Sequence, residues 1–581
     1  MVTPGASSRP QRKFPLGLDD VAPERLNAAI QPISPDPDPG WTQTRMGEER
    51  AWIGSLEQIR GVVASPIFWE VAAILPNNDL SEVRDGRPQD YPDWFMFLIV
   101  SAAAIPGVST VRAAVRMFSD PWLWAHLVDF IDQFVPKGFT KLADLDHRDA
   151  KHEARRRPRA GGAAPPPSLP PATSVSKVRQ IGAARQRQIR SVPPQRHHMQ
   201  YFFQKWRGRR RVAGGWVPVE PGDPWHGIRK KMIEAARAAA MRQAQAMGVL
   251  DPAMPFKFRI PDRAQYVGFD GVVFPMPDKR RSTACQDHLI GTGASVHGAK
   301  YTIASTRVDG QYGSRVILDF AHNGTDPDSD YTSEAAATQA MALRLAVLAE
   351  GGMKGIVVDS VIRGELLAAL QRAGLTVVNH PHAYRNPEGG KARRYNPSRQ
   401  DKSHLRATAT HVDSSGAACD HALYFLNGCL VERIISADGT PTVRRVQVVD
   451  YEQRYSTSKS GNRVRREYLI AKVACTLGED FTHRVALFHT DPTSTDPQAN
   501  WGEVARVFAP DTPQFQYLYG ARNDTESRHT NLKAAVRYMP ADVAGQQLRL
   551  LGAMVTMNAT AWQLHQQLHG QPNVLDLYDT A

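Results

Sequence analysis

YVGFDGVVF, from Tyr266 to Phe274, is an apolar run with one carboxylate, Asp270, at its centre. Apolar residues at successive rather than alternate positions mark a strand covered on both faces. A carboxylate there is costly unless it is paired or holds a metal. Two further strands follow, Lys300–Gly310 (KYTIASTRVDG) and Ser314–Asn323 (SRVILDFAHN). Next come a helix from Ser333 with glycines at its end, the short buried strand KGIVVDS carrying Asp359, a helix from Ile362 to Gly374, and the strand LTVVNH. Alternation of this kind predicts an α/β layer structure. Asp359 closes its strand at the carboxyl end, where open α/β sheets place their sites.

Outward from this core the chain changes character several times. Residues 224–248 predict a helix rich in Ala, Met, Arg and Gln, leading into a core unit spanning 224–379. Residues 148–223 read as a basic Pro- and Arg-rich linker. Within it, 148–211 holds 17 Lys or Arg against two acids, a net +15, which exceeds the +13 of the whole 581-residue chain. Residues 41–147 predict a helical domain, and 1–40, with PISPDPDPG, a loosely ordered tail. Toward the C-terminus, 380–505 shows short strands with turn signals at Asn427-Gly428 and Lys459-Ser460-Gly461, a mainly β insertion. Residues 506–540 return a core helix and 541–581 a C-terminal helical segment.

A strongly basic chain favours polyanionic partners, nucleic acid first. The apolar run from Trp94 to Ile105 stops at Pro106, short of the roughly 20 residues a membrane span needs, so no membrane partner is expected. The N-terminus lacks the apolar region of a secretory signal. The four cysteines, Cys285, Cys419, Cys429 and Cys475, form no CxxC pair. The expectation is free structural thiols in a reducing compartment, with a Cys419–Cys429 pairing as the alternative and little support for zinc. Asp319, His322 and Asn323 are noted as polar residues near the same strands.

The most informative spacing lies further on. Tyr519, Arg522, Glu526 and Lys533 stand at −7, −4, 0 and +7 relative to the glutamate. At 100° per residue these fall within roughly a 60° arc of a helix. One face then carries a carboxylate flanked by two cations and a phenol, suited to a phosphate backbone beside a metal. An ordinary exposed Arg–Glu pair is the structural alternative. Gly520 leaves open whether Tyr519 reaches that face from a loop.

Tyr-x2-Arg-x3-Glu-x6-Lys resembles the signature of bacterial insertion-sequence DDE transposases of the cut-and-paste branch. Asp270 and Asp359 stand where that family carries its two aspartates. The order of three strands, helix, strand, helix, strand resembles an RNase H-like core, and the β insertion and helical N-terminal region also match. The resemblance implies metal-dependent strand cleavage at element ends and strand transfer into target DNA. Catalytic and metal-holding roles would fall to Asp270, Asp359 and Glu526, with two Mg²⁺ ions that Mn²⁺ can replace. Tyr519, Arg522 and Lys533 would bind DNA phosphates. Arg207, Arg209, Arg210, Arg211, Arg444, Arg445, Arg465 and Arg466 are further candidates for contacting DNA. Implied partners are double-stranded inverted repeats and target DNA, held by a dimer on paired ends, in a bacterial cytoplasm close to the nucleoid. An aromatic residue of the insertion would stack on a flipped base, with Tyr451, Tyr455, Tyr468 and Trp501 as candidates. The alternatives are a catalytically retired DNA-binding descendant and another RNase H-like nuclease.

Overall fold

A computed structural model describes residues 55–80, 91–145, 196–212, 215–276, 282–289, 294–307, 314–359, 361–380, 404–426, 428–436, 438–457, 463–487 and 505–569. The tail at 1–40, most of the basic linker and Trp501 lie outside them.

The apolar runs do become the central strands. The main sheet has six, in the order β4 (Gln286–Leu289), β5 (Ser295–Arg307), β3 (Tyr266–Pro275), β7 (Gly355–Val358), β8 (Thr376–Val378), with β6 (Arg315–Asn323) also on β5. β3 runs antiparallel to β5 and parallel to β7, and β7 runs parallel to β8. The parallel steps are made through α7 (Glu334–Leu348) and α8 (Gly364–Arg372), as parallel pairing requires a crossover. Ser333 caps α7 by accepting from the Ala336 amide. The described fold is therefore mixed α/β, a sheet with helices on it.

Helices cover both faces of β3. Successive residues of a strand face opposite ways. Asp270 meets His529 of α10 (Ala521–Ala535), whereas its neighbour Gly271 faces Glu334 of α7. A Cβ at Gly271 would sit 2.5 Å from a Glu334 carboxylate oxygen, so glycine makes room there for the Lys300–Glu334 ion pair at 2.7 Å.

The edge strand β6 is closed by a side chain rather than by another strand. On α11 (Val543–His569), the Asn558 amide oxygen accepts from the Ile317 N–H and its nitrogen donates to the Ile317 carbonyl, both at 2.8 Å. A buried amide thus satisfies an exposed ladder position. Nearly every side chain of α11 up to His565 is buried, because α11 touches β6 on one side and other helices on the rest. Those helices are α1 (Pro66–Ala72), α2 (Asp93–Ala102), α5 (Arg196–Trp206) and α6 (Ile228–Ala246). A Cβ at Gly552 would come within 3.0 Å of the Val100 carbonyl oxygen, so glycine lets the helices approach there, and Thr556 donates to the Ser101 carbonyl. Buried Arg549 donates to the carbonyls of Ala103 and Ser109. The N-terminal helices consequently share one hydrophobic core with the sheet. α3 (Val111–Phe118), capped by Thr110, and α4 (Pro121–Phe134) complete that helical layer.

One difference from the sequence reading concerns the basic linker. Its last part is structured: α5 leads into a hairpin of β1 (Arg209–Val212) and β2 (Gly215–Pro218). Met199, Phe202 and Trp206 supply a helical apolar stripe, and the Trp206 indole donates to the Ala544 carbonyl. A net-charge count hides three apolar residues at spacings of three and four.

The insertion forms two antiparallel sheets. One is β9 (His404–Val412), β10 (Ala418–Leu426), β11 (Cys429–Ile435) and β12 (Pro441–Arg445). The other is β13 (Gln447–Thr457), β14 (Arg463–Val473) and β15 (Phe481–Leu487). Their apolar residues join a small core with Tyr266, Val357 and Val378 of the main sheet. The chain then returns through α9 (Pro513–Tyr519) to α10. Among the described residues no helix is long and apolar enough to cross a membrane.

Candidate active site

Two strands deliver two aspartates side by side. The last register pair between β3 and β7 is Phe269 with Val358, and the next residues are Asp270 and Asp359. Asp270 continues within β3 at 17% side-chain exposure, while Asp359 leaves β7 at 50%. The Asp270 carboxylate accepts from the Gly271 amide at 2.9 Å. A pair of aspartates on adjacent parallel strands, one within β3 and one at the carboxyl end of β7, is therefore present and partly exposed.

α10 lies across both strands. Arg522 Nη2 stands 3.7 Å from Asp359, and His529 Nδ1 stands 3.5 Å from Asp270. Positions 522, 526, 529 and 533 follow the helical repeat along one stripe. Glu526 thus occupies the helix position between the two residues that reach the aspartates; its side chain lies outside the described residues.

His529 was not anticipated, although its place three residues after Glu526 on that face was a readable signal. Burial, and secondarily the charge of Lys533, push its imidazole down to about 4. It is therefore neutral at pH 7, and its Nε2 is buried with no hydrogen-bond partner among the described residues. Lys533 itself is exposed. Beyond Asp359 sits His380, whose imidazole is also held below its ordinary range, by burial first, then by Arg506 and Arg522 against the pull of Asp359.

Tyr519 belongs neither to a loop nor to α10. It ends α9, with Gly520 as the joint, and its ring stacks on Phe515 at 5.2 Å and meets His380 edge-on at 4.7 Å. It stands against His380, whose imidazole feels the charge of Asp359.

The basic candidates divide. Arg207 makes two hydrogen bonds to Asp542, and Arg445 binds Asp511 at 2.8 Å. Arg444 pairs with buried Glu432, and Arg465 with Glu467 at 3.0 Å. These four guanidinium groups are paired within the protein. Arg209, Arg210, Arg211 and Arg466 are exposed, Arg210 with Glu220 at 3.2 Å. Of the described aromatic candidates, Tyr451 is buried and donates to Glu467, Tyr468 lies under Arg484, and Tyr455 is 56% exposed. Asp319 is engaged by Arg237 and Arg344 in the core, and His322 by Ser329 and the Ala284 carbonyl, so both are structural.

No protein-family model matches the chain, and no curated protein matches it in sequence.

Proposed function

We propose that this chain is a metal-dependent DNA-cutting and DNA-joining enzyme of the DDE transposase type, on an RNase H-like core, with Asp270, Asp359 and Glu526 as its carboxylates. The observation that carries the reading is the consecutive register of Asp270 and Asp359 beneath a helix whose Arg522 and His529 bracket position 526. The strand order and its mixture of antiparallel and parallel pairs support the core assignment.

The donor set suits hard divalent ions. Carboxylate oxygens are the preferred ligands of Mg²⁺ and Mn²⁺. His529, kept neutral by burial, puts no positive charge against an ion at Asp270. Two such ions, when bound, would assist deprotonation of the attacking hydroxyl and stabilise the leaving oxygen. Asp270, Asp359 and Glu526 would hold these ions, with Asp270 as the candidate to share in both. Arg522 and Lys533 would orient phosphates on either side of Glu526, Arg522 exchanging Asp359 for a phosphate oxygen. Tyr519 would position His380 against Asp359. The exposed Arg209–Arg211 strand and Arg466 would contribute salt-dependent contacts to the duplex backbone.

The test uses a labelled DNA fragment bearing the inverted repeat that flanks the protein's own gene. Metal-dependent cutting at the repeat boundary is expected, with loss in Glu526→Gln. Binding by both proteins with cutting by neither would replace this reading with that of a retired DNA-binding protein.

A further inference from the structure

Far from the aspartates, the insertion brings together three side chains that the sequence keeps apart. Cys419 and His421 lie two residues apart on β10, hence on one face. Cys475 lies in the turn between β14 and β15, on the other sheet of the insertion. Their ligand atoms all fall within 4.8 Å of one another. Two thiolates on a tetrahedral zinc would stand about 3.8 Å apart, given a Zn–S bond of about 2.3 Å. Closing the site around an ion thus requires a shift of roughly 1 Å or less.

The surroundings are built as a metal centre's are. His421 is 2% exposed, and its Nδ1 is 2.7 Å from Glu432, which fixes the ring and its tautomer. The other ring nitrogen, Nε2, is buried and has no hydrogen-bond partner among the described residues. Orphaned buried nitrogens of this kind are costly, and coordination removes the cost. Glu432 is also gripped by Arg444, which reaches on to the Ala474 carbonyl beside Cys475. The turn offers the Cys475 sulfur an amide donor, Leu477 N–H at 3.4 Å, and Thr476 Oγ1 lies 3.7 Å from the Cys419 sulfur. A sulfur receiving N–H donors is prepared to carry negative charge. Two thiolates and a neutral imidazole around a divalent ion make a neutral unit, which tolerates burial.

We propose that Cys419, His421 and Cys475 bind one zinc ion, which staples the two sheets of the insertion together. Sulfur and nitrogen donors select a borderline-soft ion over Mg²⁺. The site is independent of the carboxylates and of the activity proposed for them.

The full chain, purified under reductant, is assayed for zinc by mass spectrometry and then reloaded with Co²⁺. One zinc per chain is expected in the parent and equally in Glu526→Gln. The cobalt form should show a thiolate charge-transfer band and the intense visible bands of a tetrahedral site. Cys419→Ser/Cys475→Ser should lose both. Glu432→Gln should bind Zn²⁺ 10- to 100-fold more weakly, as an outer-shell partner of the histidine. The parent protein's own metal content and spectrum keep the test valid should the double variant misfold. A parent chain free of zinc, an octahedral cobalt spectrum, or a Cys419–Cys475 disulfide in its place would overturn the proposal.

Discussion

The six-stranded sheet and the insertion solve burial in opposite ways. In the main sheet, helices seal both faces of β3, and the buried Asp319 carboxylate is held by two guanidinium groups, Arg237 and Arg344. The insertion has two sheets and no helix among its described residues, and polar links cross between the sheets: Arg444 donates to the Ala474 carbonyl and Arg406 to the Ala486 carbonyl. Oxygen donors gather where two parallel strands run side by side in the first region, sulfur and nitrogen donors at a sheet junction in the second. A core sealed by helices can hold an open carboxylate site on one edge. A region with a small core needs cross-links of another kind.

The strongest way to break this comparison is to remove one site and watch the other. Asp270→Asn should lower metal-dependent DNA cutting by on the order of 10³-fold or more, as loss of a principal electrostatic group does. Zinc content should not change. A chelator selective for zinc should do the reverse at first, loosening the insertion, which limited proteolysis would read as new cleavage between residues 404 and 487. If either perturbation abolishes both readouts at once, the two regions are not independent.

Acid sharpens the comparison further. Burial lowers the imidazoles of His288, His322, His380, His483 and His529. Each takes up a proton less readily folded than unfolded, so stability is intact above the ordinary imidazole value near 6.5 and falls as pH drops below it. His529, pushed down to about 4, accounts for the steepest part. In metal-free protein, His529→Gln should recover on the order of 2–3 kcal/mol of what is lost between pH 6.5 and 4, measured by urea unfolding. No recovery would mean that the imidazole is protonated in the fold.

Two smaller effects belong to the main sheet alone. Asn558→Ala strips both partners from Ile317 and should cost about 1–3 kcal/mol in denaturant unfolding. Gly271→Ala drives a methyl group toward Glu334 and should cost about 1 kcal/mol, with the Lys300 pair displaced. A larger loss in cutting than in stability for Gly271→Ala would tie the α7 face of β3 to the site on the opposite face.

What could be read from the sequence follows the same division. The strands around Asp270 and Asp359 declare themselves because apolar runs are local, and the stripe through Arg522 and Glu526 because the helical repeat is local. Their meeting across β3 and β7 follows from strand order. The sequence leaves the place of Tyr519 open at Gly520, and that joint ends α9 before the helix of Arg522 begins. α5 was buried in a charge count. The four cysteines are free thiols, as expected, and the absence of a Cys419–Cys429 bridge agrees with that reading; the approach of Cys475 to Cys419 and His421 is not legible because it comes about fifty residues later on a different sheet. Only the Cys-x-His step at 419–421, two residues that must share a strand face, carried any sign of it.

The amide that closes β6 has a consequence for synthesis. Ile317 is made long before Asn558, with more than 200 residues between them. At the usual pace of translation, about 5–20 residues per second, the strand waits roughly 12 to 48 seconds for its cover. During that interval the nascent chain presents an uncapped strand edge, a template for pairing with a neighbouring nascent chain. Slower ribosomes or crowded polysomes should therefore lower the yield of folded protein without touching the stability of the molecules that do fold.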